Sequence, residues 1–230
     1  MSQLAIFDID GTLTATNAVD DECYLRAVAA TFGLAGADLD WADAPHVTDC
    51  GLARWLCTRH LGRAPQPDEL AELERRFVGI LRSELARTPD RFAPIDGARG
   101  IFDYLRSAGW SIALATGAWG SSARTKLDAA GLAAGEMPMA CADDAESRED
   151  IVRVARERAE ARAGSHFERV VSVGDAPWDV RTARSLELPF VGIGVGPNEH
   201  RLRTAGARVV LPDLADRPGV LAALEAAQIP

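Results

Sequence analysis

The chain has 230 residues, a formal net charge of −9 at pH 7 and 47% hydrophobic residues. This length is enough for one large domain or two small ones with a real core, and the composition is that of an ordinary globular protein. The negative charge argues against binding to a nucleic-acid backbone, but it does not exclude a small phosphorylated ligand, which responds only to the local charge.

The first predicted element is a short apolar strand, Leu4–Phe7, which runs directly into acidic residues. Asp8 follows the strand, Asp10 lies two residues further on, and Gly11 and Thr12 turn the chain away. Two carboxylates this close repel each other. The arrangement therefore indicates that a nearby group compensates their charge.

The next interval, from about residue 16 to 91, has helical patterns and no convincing strand. The apolar spacing and the capping residues predict three or four helices, among them Val19–Phe32, ended by Gly33, one that follows the N-cap candidates Thr48 and Asp49, and one from Asp68 to about Arg87. A helical block inserted after the first strand is typical of a cap domain; the alternative is an elaborated crossover connection. We predict a cap at 16–91 and a core formed by 1–15 and 92–230.

After residue 92, predicted strands and helices alternate along the chain. Their apolar runs are continuous, as expected of parallel strands buried on both faces of a sheet. The predicted strands are Ser111–Ala115, Val170–Val173 and Phe190–Ile193, with weaker ones at Pro138–Cys141 and Arg208–Leu211. The alternation predicts an α/β fold with a mainly parallel sheet.

Polar groups follow three of the predicted strands, at the edge where ligands bind in doubly wound sheets. The groups are Asp8 and Asp10, Thr116 and Gly117, and Asp175 and Asp179. We expect them to converge, and carboxylates brought together in this way need a cation. Because the ligands would all be oxygens, Mg²⁺ is favoured over zinc.

These groups suit phosphoryl transfer. Mg²⁺ that bridges carboxylates and a phosphate orients the phosphate for in-line attack. One carboxylate is a plausible nucleophile, which would give an aspartyl-phosphate, and a second can protonate the leaving oxygen and then activate water. The Thr116 hydroxyl and the amides beside Gly117 can hold the transferred oxygens. One cationic side chain is still needed.

The order of these motifs resembles the haloacid dehalogenase superfamily of phosphohydrolases: D-x-D-G-T-L, a strand ending in T-G, a basic residue that opens a helix, and G-D-x-x-x-D. The resemblance covers the whole chain and implies a Rossmann-like core with an inserted helical cap, as in the phosphoglycolate-phosphatase-like branch. It implies that Asp8 is the nucleophile and a metal ligand, and that Asp10 is the general acid/base and offers its backbone carbonyl to the metal. It further implies that Thr116 binds the phosphoryl group, that Asp175 is a metal ligand, and that Asp179 supports the metal site.

The basic residue of the third motif is usually a lysine in this superfamily. Here the candidate is Arg148, in DDAESREDIV, whose guanidinium contacts oxygens in a different geometry from an ammonium. The chain's only lysine, Lys126, lies in TKLDAAGL, a stretch that we interpret as helix packing. We therefore expect replacement of Lys126 to be nearly silent.

Several activities of this superfamily can be weighed against the same residues. A dehalogenase lacks the second aspartate of the first motif, so Asp10 argues against it, and a phosphonatase relies on a cap lysine, which 16–91 does not contain. A phosphomutase remains an alternative, because it uses the same core and differs in how the cap excludes water. A non-catalytic phosphate-binding protein would be expected to have lost a motif acid. We predict a Mg²⁺-dependent phosphatase of a small phosphorylated metabolite, whose identity the sequence does not reveal.

Other features predict the protein's surroundings. No apolar run approaches the roughly 20 residues of a membrane span, and the N-terminus does not have the form of a signal peptide. The cysteines form no C-x-x-C pair, so we expect reduced thiols and a cytoplasmic monomer or homodimer without nucleic-acid or membrane partners. The G-I-G-V-G stretch at 192–196 is interpreted as a loop, and His46 as a surface or capping residue, with substrate contact as the alternative.

Overall fold

The computed structural model describes residues 2–35, 41–132, 135 and 137–230. Within these residues, six parallel strands form one sheet in the order β3-β2-β1-β4-β5-β6. The strands are β1 Gln3–Phe7, β2 Trp110–Ala115, β3 Met139–Ala140, β4 Arg169–Gly174, β5 Phe190–Ile193 and β6 Val210–Leu211. The predicted α/β fold with a parallel sheet is confirmed.

Helices cover both faces of the sheet, which explains the continuous apolar strands. The helices are α1 Asn17–Phe32, α2 Asp49–Leu61, α3 Pro67–Arg87, α4 Ala98–Ser107, α5 Gly120–Ala129, α6 Arg148–Ala163, α7 Pro177–Ser185, α8 Pro197–Ala205 and α9 Arg217–Ala226. Along β1, Ala5 and Phe7 join a hydrophobic cluster with α4, α5 and α9, whereas Leu4 and Ile6 join another with α6, α7 and α8. Both faces of the strand are therefore removed from water.

The helices α1, α2 and α3, here called the inserted helices, lie between β1 and α4 in the chain. Gly33 ends α1 with a left-handed φ of 72°, and the Thr48 hydroxyl caps α2 by accepting a hydrogen bond from the Gly51 N–H at 3.1 Å. The inserted helices share a third hydrophobic cluster, in which Tyr24 and Phe77 pack edge to face. This cluster contains no strand residue among those described, although residues 36–40 of the interval lie outside the described part. The division into a core and a cap stays a prediction.

The sheet order explains where the polar strand ends meet. β1 is central and pairs with β2 on one side and β4 on the other; Phe7 is in register with Leu114 and with Val173. The chain segments that follow these three strands therefore leave the sheet side by side. This is the position at which a doubly wound sheet binds ligands.

Two further features of the structure are the state of its cysteines and the hydropathy of its helices. All four cysteines are free thiols, and burial raises the pKa of Cys23 and Cys50 to about 11, which keeps both protonated at neutral pH. Among the helices in the described residues, none combines the length and the hydropathy that crossing a bilayer requires.

Candidate active site

The turn after β1 brings the first aspartate next to the carboxylate that follows β4. The Asp8 N–H donates to the carbonyl of Val173 at 2.9 Å, which extends the β1–β4 pairing by one residue. Gly11 has a φ of +79°, and a Cβ at this position would lie 2.0 Å from the Asp175 Oδ2. Only glycine fits this turn, because any side chain would collide with that carboxylate.

Three buried aspartates converge at this edge and are here called the three-aspartate cluster: Asp8, Asp175 and Asp179. One carboxylate oxygen from each lies within 4.8 Å of the others. Asp179 lies in the first turn of α7 and accepts a hydrogen bond from the Ala176 N–H at 3.1 Å, while Asp175 accepts one from the Asn17 amide at 2.8 Å. Backbone and side-chain donors thus orient the carboxylates toward one another.

The cluster carries more negative charge than its surroundings neutralise. Burial raises the pKa of Asp8 to about 7, the charge of Asp179 adds to the rise, and Arg148 opposes it. Burial likewise raises the pKa of Asp175 well above its usual range, with further contributions from Asp8 and Asp179. Buried oxygen ligands that repel one another in this way are the donor set that suits a hard divalent cation.

Arg148 is the cation that contacts the three-aspartate cluster. It is the first residue of α6, behind the N-cap Ser147, and its Nη2 donates to Asp8 Oδ1 at 2.9 Å and also to Asp179. Its Nη1 donates to the carbonyl of Val47, between α1 and α2, at 3.3 Å. The two carboxylates raise the pKa of Arg148 although burial opposes the rise. The structure brings the predicted basic residue into the site; its role toward a phosphate stays a prediction.

The segment after β2 supplies the predicted hydroxyl and glycine. Thr116 is buried, and its Oγ1 accepts a hydrogen bond from the Ala118 N–H at 3.1 Å. A Cβ on Gly117 would lie 2.6 Å from the Val47 carbonyl, and the Gly117 carbonyl accepts a hydrogen bond from the Asp49 N–H at 2.8 Å. Gly117 thus permits the start of α2 to approach the sheet edge closely.

The interpretation of Lys126 as a helix-packing residue is wrong. Its ammonium is fully buried and lies 2.6 Å from Asp10 Oδ2 and 2.6 Å from Asp20 Oδ1. The two carboxylates raise the pKa of Lys126 although burial opposes the rise. The other oxygen of Asp10 accepts a hydrogen bond from the Thr16 hydroxyl at 2.5 Å. We call Asp10, Asp20 and Lys126 the lysine cluster.

Sequence reasoning missed Asp20 and the role of Asp49. Asp20 lies in the first turn of α1, 106 residues from its partner Lys126, and no spacing in the chain connects them. The sequence suggests Asp49 as a helix cap, but Thr48 is the residue that caps α2. The Asp49 carboxylate instead accepts a hydrogen bond from the Trp119 N–H at 2.8 Å. The only signal was the position of both acids at predicted helix starts.

A cavity of about 500 Å³ lies beneath the inserted helices and is lined by carboxylates of both the three-aspartate cluster and the lysine cluster. Core residues and inserted-helix residues both line it. The lining residues include Asp8, Asp10, Thr116, Gly117, Arg148 and Asp175 from the predicted site. They also include Asp20, Asp21, Trp41, Thr48 and Asp49 from the stretch between β1 and α4, here called the inserted segment. His46 is not among the cavity-lining residues in the described part of the chain. The arrangement can hold an anion between Arg148 and a carboxylate nucleophile, with a second carboxylate nearby.

Comparison with known proteins assigns this site to a family. The family model of haloacid dehalogenase-like hydrolases matches residues 3–186. The chain belongs to this family. Its curated relatives include a phosphoglycolate phosphatase from Agrobacterium fabrum that is 30% identical over 219 residues, covering 94% of this chain and 90% of the relative. The chain is thus a phosphatase of the haloacid dehalogenase-like family.

Solved structures agree with the fold. A hydrolase from Pseudomonas syringae superposes with a TM-score of 0.74 at 21% identity, covering 99% of this chain and all of the other. A putative β-phosphoglucomutase from Bacteroides vulgatus superposes with a TM-score of 0.71 at 16% identity, covering 97% of this chain and 89% of the other. At these identities the two similarities establish the shared architecture alone.

Proposed function

We propose that the protein is a Mg²⁺-dependent phosphatase that hydrolyses a small phosphorylated metabolite through an aspartyl-phosphate on Asp8. The observation that carries the proposal is the contact of Arg148 with two members of the three-aspartate cluster, in the same cavity as Asp10. A nucleophile, a phosphate-binding cation, metal ligands and an acid/base candidate thus border one volume.

Magnesium fits the three-aspartate cluster. The donors are carboxylate oxygens only, they lie close together, and burial and mutual repulsion raise the pKa of Asp8 and Asp175. Asp8, Asp175 and Asp179 would hold the ion, and the backbone carbonyl of Asp10 is proposed as a further ligand. A bound Mg²⁺ would neutralise phosphate charge and keep the nucleophile ionised.

In the first chemical step, a carboxylate oxygen of Asp8 attacks phosphorus and the bond from phosphorus to the substrate oxygen breaks. The Asp10 carboxyl gives its proton to the departing alcohol oxygen, so Asp10 becomes a carboxylate. Arg148, the Thr116 hydroxyl and the amide of Gly117 hold the transferred oxygens. Lys126 and Thr16 occupy both Asp10 oxygens, so one of these bonds must give way to the leaving oxygen.

In the second step, Asp10 takes a proton from water as the water oxygen attacks the phosphorus of the aspartyl-phosphate. The bond between Asp8 and phosphorus breaks, which regenerates the Asp8 carboxylate and the Asp10 acid and releases inorganic phosphate. Asp10 therefore acts twice, in opposite directions.

The inserted helices are proposed to be the cap of this site, within the predicted interval 16–91. The Asp49 N–H donates to the Gly117 carbonyl at 2.8 Å, and the Thr48 hydroxyl donates to the Glu146 carbonyl at 2.8 Å. These bonds hold the start of α2 against the loops after β2 and β3. A cap seated in this way limits the access of water to the phosphate and selects the alcohol part of the substrate.

Three measurements test the proposal. The enzyme with Mg²⁺ should release phosphate from a panel of phosphorylated metabolites without any bisphosphate, and a chelator should abolish the release. Mg²⁺ alone should also raise the melting temperature of the wild type, and this rise should be lost in Asp175→Asn. Interconversion of sugar phosphates that requires a bisphosphate primer would establish a phosphomutase instead, and binding of phosphate without turnover of any ester would establish a non-catalytic protein.

A cytoplasmic location completes the proposal, because the four free thiols suit a reducing compartment. A monomer or homodimer remains the predicted assembly.

A further inference from the structure

The charges that line the cavity carry information about the substrate. Among the described residues, six carboxylates and two cationic side chains line the cavity: Asp8, Asp10, Asp20, Asp21, Asp49 and Asp175 against Arg148 and Arg201. Asp8 and Asp175 belong to the proposed metal site, and a bound metal ion would balance them. On the side of the inserted helices, Asp20 is paired with Lys126 and burial raises the pKa of Asp49 well above its usual range, so among the described residues the negative charge there is carried mainly by Asp21.

Among the described residues between β1 and α4, no cationic side chain lines the cavity. The described residues of the inserted segment that line the cavity are acidic, polar or apolar and are here called the acidic wall: Asn17, Asp20, Asp21, Trp41, Val47, Thr48, Asp49 and Leu52. Lys126 is not a lining residue, and its buried ammonium is shared by Asp10 and Asp20. Burial and the charge of Asp10 raise the pKa of Asp20 to about 7 although Lys126 opposes the rise, so Asp20 adds little uncompensated negative charge to the cavity.

Asp21 is the carboxylate on this wall that remains open to a ligand. Its Oδ1 accepts a hydrogen bond from the Trp41 indole N–H at 3.0 Å, and its Oδ2 has no donor among the described residues. Asp20 is bound by Lys126, and Asp49 is buried and accepts the Trp119 N–H. Asp21 is exposed, and its Oδ2 is thus an acceptor that both solvent and a ligand can reach at the edge of the cavity.

Arg201 does not compensate this wall. It lies on α8 of the core, and its guanidinium donates to the Asn198 side chain at 3.0 Å. Asn198 in turn donates to the backbone carbonyl of Asp175 at 2.9 Å. This contact places the exposed Arg201 guanidinium beside a side chain that bonds to Asp175 of the proposed metal site.

We propose that the alcohol part of the substrate is not anionic and carries a hydroxyl or ammonium donor, which Asp21 accepts. The inference rests on the proposed phosphatase function and names its substrate class. An anionic alcohol part, such as a carboxylate or a second phosphate, would meet the Asp21 carboxylate, and the repulsion between the two like charges disfavours binding. A hydroxyl or ammonium group would instead satisfy an open acceptor.

A size-matched series of esters tests the inference directly: 2-phosphoglycolate, 2-hydroxyethyl phosphate and O-phosphoethanolamine. With Mg²⁺, the wild type should turn over 2-phosphoglycolate with a kcat/KM at least about tenfold below the better of the other two. The relative values for the hydroxyl and ammonium esters identify which donor the site prefers. Equal or better turnover of 2-phosphoglycolate would overturn the inference and leave the phosphatase proposal intact.

Charge variants link the preference to Asp21. Asp21→Asn should shift the ratio of kcat/KM values toward 2-phosphoglycolate about threefold or more, and Asp21→Arg should shift it further. Glu22→Gln is the matched control, because Glu22 is the next residue on α1, pairs with Arg91 at 2.8 Å and does not line the cavity. The control should leave the ratio unchanged; a shift equal to that of Asp21→Asn would show a general charge effect and overturn the role of Asp21.

Different results would contradict the phosphatase proposal and the inference about the substrate class. p-Nitrophenyl phosphate needs no acceptor on the inserted helices, so it reports the phosphatase chemistry alone. Absence of turnover with all four esters would remove the phosphatase proposal and the inference with it. Turnover of the aryl ester alone would keep the phosphatase and reject this substrate class, and a loss of 2-phosphoglycolate turnover in Arg201→Ala would assign anion binding to Arg201 instead.

Discussion

The three-aspartate cluster and the lysine cluster lie at the same edge of the sheet, yet they balance their charges differently. In the first, Arg148 pairs with two of the three buried carboxylates, and the pKa of Asp8 rises to about 7 through burial and the charge of Asp179. In the second, two carboxylates share Lys126, whose ammonium is fully buried between them. The first cluster has three carboxylates for one cation and suits an additional metal ion; in the second, two carboxylates share one fully buried cation.

The two clusters also connect different parts of the chain. Asp8, Asp175, Asp179 and Arg148 all belong to segments that follow strands or begin helices. Lys126 lies on α5 and joins Asp10 to Asp20 of the inserted helix α1. We expect substitutions in the first cluster to act on catalysis, and substitutions in the second to act on both stability and catalysis.

The largest expected effect is the loss of the nucleophile. Asp8→Asn should abolish turnover, because uncatalysed hydrolysis of phosphate monoesters is so slow (enzymatic accelerations reach ~10²¹) that nothing measurable remains. Phosphate release measures the effect, and a tenth of wild-type activity in this variant would contradict covalent catalysis by Asp8.

The same variant should fold at least as stably as the wild type in the absence of metal. The folded-state pKa of Asp8 is raised from 3.8 to about 7, so its ionisation lowers stability as the pH rises through this range. Asn removes that cost, and thermal unfolding at pH 8 without Mg²⁺ measures the gain. A lower melting temperature than the wild type would show that Asp8 supports the fold.

Asp10→Asn should separate the two chemical steps. Alkyl phosphates need an acid for their leaving oxygen and should be turned over at least about a hundredfold more slowly. An aryl phosphate needs none, so rapid quenching should show a burst of phenol of about one per active site, followed by a stall because water is not activated. Equal slowing of phenol release and alcohol release would show that Asp10 is not the acid.

Arg148→Ala should lose most of the activity, on the order of a hundredfold or more, because two carboxylates and the phosphate lose their cation. Arg148→Lys should retain a useful part of the activity, because the positive charge remains although the guanidinium contacts with two carboxylates are lost. Steady-state kcat/KM values for the two variants provide the comparison. Activity in Arg148→Ala close to that of the wild type would remove Arg148 from the site.

Lys126→Met should lower stability by about 3 kcal/mol, because it leaves the Asp10 and Asp20 carboxylates without their buried cation. Urea unfolding measures the change, and adding Asp20→Asn to this variant should restore part of the loss. Activity should also fall, since Asp10 loses one of the two donors that position it. A silent Lys126→Met would return Lys126 to the packing role that its sequence context indicated.

The sequence alone predicted the parallel sheet, which is confirmed, and the strand ends at which the candidate site residues lie; the roles of these residues stay predictions. Continuous apolar runs identified the strands because burial on both faces excludes polar residues, and Gly11 marked a turn that no other residue can adopt. Because parallel strands end at one edge, Asp8, Thr116 and Asp175 could be expected to lie side by side before any coordinates were known.

Only the tertiary structure decided how the inserted helices meet that edge. The pairing of Lys126 with Asp20 depends on where α1 lies relative to α5, and the hydrogen bond from Asp49 to Gly117 depends on where α2 begins. Helical periodicity specifies which face of a helix is apolar, but it carries no information about which distant charge a polar side chain will meet. The acidic wall around Asp21, and with it the proposed selection of substrate, therefore follows from packing between distant segments.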